Sequence, residues 1–142
     1  MGDLRRFVEA QAAVIETALS ELRAGHKRTH WMWFVFPQLK ALSRGSMAQF
    51  YGLHDLTEAR SYWAHPVLGP RLKECVLAVL GAESRSAREV FGSPDDLKFC
   101  SCLTLFELAT SDGCFFRALD RFYEGRRDEA TLSLIAGDLE KM

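Results

Sequence analysis

The sequence predicts an all-α fold: a single compact domain, residues 1–142, of about seven or eight helices, several of them short. Three observations predict it. Apolar residues recur at intervals of three and four along most of the chain. Helix-start residues punctuate these stretches, as in Asp55-Leu56-Thr57-Glu58 and Ser93-Pro94-Asp95-Asp96. No apolar-polar alternation flanks a hairpin dipeptide; Asp112-Gly113 joins two helical patterns instead.

Taken in order, Asp3 is placed to cap a first helix. Its buried face reads Leu4, Phe7, Val8, Gln11, Ile15, Ala18, Leu19 and Leu22, and Gly25 stands just past its end. Gln11 lies inside that apolar stripe, so its amide must tie two helices together or face a ligand. The basic loop His26–Thr29 leads into His30-Trp31-Met32-Trp33-Phe34-Val35-Phe36, the most aromatic run of the chain. Pro37 excludes the helical region for Phe36, so the run is expected to be a short buried helix that stops there. After an irregular stretch, Ser46–Tyr51 reads as a brief helix closed by Gly52. Asp55 caps a helix that ends before His65-Pro66, and the next runs from Pro66 to Gly81. Ser86–Phe91 is short, with Gly92 behind it. Ser93 as N-cap, Pro94 at the first helical position and two acids start a helix to about Thr110, which is expected to be central. Phe115–Tyr123 and Asp128–Glu140 complete the set.

The 142 residues can bury roughly 68–70% of their unfolded surface, so neither a metal nor a disulfide is required. The apolar fraction of 48% and charged fraction of 26% are those of a globular protein. A net charge of −1 argues against a surface that grips nucleic acid throughout. No apolar run approaches the roughly 18 residues of a membrane span, and no apolar segment follows Met1-Gly2-Asp3-Leu4-Arg5-Arg6. The expectation is a cytoplasmic protein whose four cysteines, Cys75, Cys100, Cys102 and Cys114, are buried thiols.

Several pieces together resemble the DUF1810 family of uncharacterised bacterial and fungal proteins. They are Gly25-His26-Lys27-Arg28-Thr29-His30-Trp31-Met32-Trp33-Phe34, Phe36-Pro37-Gln38-Leu39, His65-Pro66-Val67-Leu68-Gly69-x-Arg71-Leu72, Asp96-x-Lys98 and Ser101-x-x-Thr104-Leu105-Phe106. The resemblance covers nearly the whole chain and implies a mainly helical fold, but it supplies no reaction and no cofactor. The family tends to have glycines after Pro-Gln-Leu, where this chain has Ala41 and Ser43.

The polar residues of these pieces are an odd set for packing alone, because charged groups are rarely buried unless paired. His30, at the mouth of the aromatic run beside Lys27 and Arg28, is the candidate acid or base. Trp31 and Trp33 are candidates to stack a ring, and the basic flank to hold a phosphate. Lys98 and Ser101, three apart, share a helix face. Arg71, in a first helical turn, suits a phosphate or carboxylate; a salt bridge to Glu58, Asp96 or Glu107 is the competing expectation. Gln38, Tyr51 and His65 complete the ligand set. His26 and His30 lack a third ligand in reach, so no metal is expected. The expected partner is therefore a small phosphorylated or nucleotide-like ligand in an aromatic-lined pocket. The alternative is a non-catalytic interaction module that presents the aromatic run and its basic flank to a protein or nucleic acid.

Overall fold

The computed structural model describes residues 3–82 and 85–140, so the Met1-Gly2 start lies outside the described residues. The described residues are all-helical, with ten α-helices among them rather than seven or eight. They are α1 (Arg5–Ala12), α2 (Ile15–Arg23), α3 (Met32–Val35), α4 (Ser46–Tyr51), α5 (Leu56–Ala64), α6 (Leu68–Gly81), α7 (Ala87–Phe91), α8 (Asp95–Ala109), α9 (Cys114–Tyr123) and α10 (Glu129–Glu140). One of the added helices has a local cause. The expected first helix breaks at Ala13-Val14, where the Val14 N–H turns back to the Gln11 carbonyl at 3.0 Å.

Most helix ends follow their signals. Asp55 accepts the Glu58 N–H at 2.8 Å, and Ser86 with Glu89 forms a full capping box. α2 closes with paired bonds from Gly25 N–H to the Leu22 carbonyl and from His26 N–H to the Glu21 carbonyl. This is the Schellman arrangement, and Gly25 supplies its left-handed residue at φ 73°. Ser93 is a correction. α8 begins at Asp95, its cap position is Pro94, and no side chain caps it. The carbonyl of Gly92 takes the Asp96 N–H instead, at 2.9 Å.

α8 is central, as its sequence predicts. It buries every residue from Ser101 to Phe106, hence its whole circumference over that span, and packs against α5, α7, α9 and α10. α6 lies against α2, α5 and α9. The aromatic run passes into this core: Trp31 and Phe36 are each 1% exposed, and the Phe36 ring meets Phe99 of α8 at 4.9 Å, edge to face.

Two buried polar side chains of the first helices hold the run. Glu21 of α2 accepts from Arg28 N–H (2.9 Å), Thr29 N–H (3.1 Å), the Thr29 hydroxyl (2.8 Å) and the Trp31 indole (2.9 Å). Gln11 of α1 donates to the Phe34 carbonyl (2.6 Å) and the Tyr62 hydroxyl (2.9 Å), so its amide ties helices together. Burial alone would push the Glu21 carboxyl up, but those four donors outweigh it and bring it down to about 2.

A carboxyl at about 2 in the fold, against 4.5 as its ordinary value, stabilises the folded state fully above pH 4.5 and ceases to as pH falls toward 2. That contribution is about 3 kcal/mol. Glu21→Gln is expected to lose it at neutral pH and to show a flatter decline of stability between pH 5 and 2, measured by urea unfolding across that range.

Candidate functional site

The basic loop divides into inward and outward residues. Lys27 turns in: its side chain is 8% exposed, its Nζ is 3.1 Å from Asp95 Oδ2, and it lies 5.1 Å over the Trp31 ring. Its backbone N–H is fixed to the Val90 carbonyl at 2.7 Å. Arg28 and His30 turn out and are exposed. Trp31 belongs to the core, with its indole N–H on Glu21.

Beyond the run the chain makes one isolated parallel bridge, Leu39 to Leu53. Leu53 N–H donates to the Gln38 carbonyl (2.9 Å) and Lys40 N–H to the Leu53 carbonyl (2.7 Å). The approach needs a glycine beside it, since a Cβ on Gly52 would stand 2.5 Å from Lys40 Cα. The bridge brings Gln38 beside the end of α4 and its Tyr51, whose ring meets Phe34 at 5.2 Å.

A groove results. Its inner slot, about 20 Å³, is lined by Met32, Trp33, Phe36, Gln38, Tyr51 and Lys98, with Ser43, Ala48 and Gly52. Its outer part, about 360 Å³, shares Gln38, Ala48 and Lys98 and adds Arg44, Ser101 and Asp128. Trp33, Gln38, Tyr51, Lys98 and Ser101 thus meet here, from α3, the bridge segment, α4 and α8. Lys98 Nζ is 3.6 Å from Asp95 Oδ1, so one carboxylate stands between the Lys27 and Lys98 ammonium groups. The Ser101 hydroxyl donates to the Leu97 carbonyl at 3.2 Å. Asp128 Oδ2 is engaged by the Thr131 N–H (3.0 Å) and hydroxyl (2.6 Å) at the start of α10.

The other expected residues lie elsewhere. His30 and Arg28 do not line the groove. His65 Nδ1 accepts the Val67 and Leu68 N–H groups at 3.1 and 3.4 Å, ahead of α6. Arg71 makes none of the three expected salt bridges. Glu58 stands near Arg6, Glu107 pairs with Arg127, and Arg71 Nη1 reaches Gln11 Oε1 at 3.4 Å. Arg44 lines the groove and Asp95 pairs with its Lys98, and the sequence reading missed both. Asp95 was visible only as a helix-start acid, and three positions before Lys98 is the spacing that could have flagged it. No cluster of three metal-ligating side chains occurs among the described residues. Burial raises the thiols of Cys75 and Cys114 to about 12 and of Cys100 to about 11, so none is a ready nucleophile at neutral pH.

The DUF1810 family model, described as a protein of unknown function, matches residues 1–135. The chain belongs to that family. The crystal structure of the conserved hypothetical protein Rv1873 from Mycobacterium tuberculosis is similar at 50% identity and a TM-score of 0.93, covering 94% of this chain and 96% of that one. No curated protein matches. Membership in this family agrees with the helical fold and leaves the chemistry to be read from the groove. No described helix is long and apolar enough to cross a membrane.

The charge relay beside the groove makes an asymmetric expectation. Asp95→Asn leaves the buried Lys27 ammonium without its counter-ion and is expected to cost about 2–4 kcal/mol. Lys27→Met keeps the packing over Trp31 and leaves Asp95 to Lys98, so under about 1.5 kcal/mol is expected. Urea unfolding of the two variants checks the order.

Proposed function

We propose that this chain binds a small anionic ligand, phosphorylated or nucleotide-like, in the groove between Trp33 and Lys98. One observation carries the reading: five residues from four separate segments, two aromatic and three polar, line one continuous groove. Apolar walls with a few placed polar groups are the usual makeup of a ligand pocket.

Charge supports an anion. Lys27, Lys98 and Arg44 stand against the carboxylates of Asp95 and Asp128, which leaves a formal excess of one positive charge in and behind the groove wall. The outer part, about 360 Å³, is where a small ligand fits, with its anionic group near Lys98 and Arg44, while the inner slot of about 20 Å³ has room for about one water beside Trp33 and Tyr51. The exposed imidazole of His30 stands outside this groove, so the proposed role is binding and assigns no acid or base. An interaction module would need the aromatic run at the surface, and Trp31, Phe34 and Phe36 are buried.

A thermal-shift screen against nucleotides, nicotinamide nucleotides and sugar phosphates tests the reading, with Lys98→Ala and Gln38→Ala alongside. A ligand at about 100 times its Kd is expected to add about 2.7 kcal/mol and raise the wild-type Tm by several degrees, and the shift is expected to shrink in both variants. No shift across the panel, or an equal shift in all three proteins, contradicts the proposal.

A further inference from the structure

A second, broader cleft of about 760 Å³ adjoins Gly52, which lines both it and the groove. Its walls include Arg6, Glu9, Lys40, Phe50, His54 and Glu58, from α1, the 3₁₀ turn at Lys40–Leu42, α4 and α5. Most charges here already have partners. Arg5 holds Asp3 at 2.8 Å. Arg6 donates through Nε to the Phe50 carbonyl (2.8 Å), through Nη1 to the Asp3 carbonyl (2.7 Å) and through Nη2 to the Gly52 carbonyl (3.2 Å).

Glu58 is different. It is 4% exposed, and its Oε1 accepts the His54 N–H at 2.8 Å with Arg6 Nη2 at 3.6 Å. Its Oε2 has no hydrogen-bond partner among the described residues and is shut off from water. A buried carboxylate oxygen left in that state is costly and calls for a donor. In formal charge Arg5, Arg6 and Lys40 balance Asp3, Glu9 and Glu58 along the cleft, but the Arg6 N–H groups are taken by backbone carbonyls, so Glu58 Oε2 is left without a donor. The Phe50 ring, 58% exposed, forms an apolar wall beside them.

We propose that this cleft binds a small organic cation carrying N–H donors, an amine or guanidine, with its cationic group on Glu58 Oε2 and its carbon chain along Phe50. A carboxylate oxygen lacking a donor matches a charged N–H group, and an exposed aromatic face adds cation–π attraction. Because Oε2 is shut off from water, a donor reaches it only when the Glu58 carboxylate turns toward the cleft, and the exposed His54, whose N–H is held by Oε1, is the reporter of that turn.

The experiment is an NMR titration of the full chain with agmatine, followed at the His54 and Phe50 rings, with tetramethylammonium as the cation that has no N–H. Saturable shifts are expected with agmatine and none with tetramethylammonium. Glu58→Gln is expected to raise the agmatine Kd at least about tenfold, the loss of one charge-assisted hydrogen bond. Lys98→Ala, in the separate groove, is expected to leave it unchanged, so failure there and failure here are distinguishable. Absence of saturable shifts, equal binding of tetramethylammonium, or an unchanged Kd in Glu58→Gln overturns the proposal. Should Glu58→Gln not fold, the exposed positions carry the test: Glu9→Gln and Phe50→Ala are each expected to weaken agmatine, and binding unchanged in both overturns it.

Discussion

Burying an aromatic run obliges the protein to find partners for every polar group that goes in with it. Trp31 brings an indole N–H, and the loop before it brings backbone N–H groups with no helix to receive them. Glu21 and Gln11, both in the first two helices, meet that demand from opposite ends of the run. A four-residue helix such as α3 cannot hold itself together in water. Its geometry therefore depends on these two side chains and on the rings of Phe91 and Phe99 against Phe36.

The groove is a consequence of the same fixing. With Trp31, Phe34 and Phe36 turned into the core, Trp33 is left on the other side of α3, only partly buried. Pro37 ends the helix, and the Leu39–Leu53 bridge turns Gln38 toward α4. Lys27, held over Trp31, fixes Asp95 at the start of α8, and Asp95 in turn orients Lys98. Core and groove residues are interleaved within one short stretch, and Met32 and Phe36 belong to both. Unusual residues there carry two duties at once.

Much of this was legible in the sequence. The brief α4 closed by Gly52, the Asp55 cap, the Gly25 and Gly81 stops and the central place of α8 each have a local physical cause, and each recurs in the structure. The break at Ala13-Val14 was not legible, because neither glycine nor proline marks it; the tertiary placement of Gln11 against Phe34 accompanies it. Lys98 and Ser101 could be paired from their spacing alone. The outward turn of His30 could not be read, since a run without clear periodicity has no phase to extrapolate from. Asp95 was hidden for another reason: an acid in a first helical turn already has a sufficient local explanation.

The claim on which the rest stands is that the Glu21 carboxylate holds the aromatic run in place. Hydrogen exchange of the Trp31 indole N–H and of the Arg28 and Thr29 amides, in wild type and in Glu21→Gln, addresses it directly. The account expects all three to be protected in wild type and to exchange at least about tenfold faster in the variant, with the amides of α6 and α8 little changed. Protection of the three that survives the substitution would mean that packing of the rings alone holds the run, and that Glu21 only follows it.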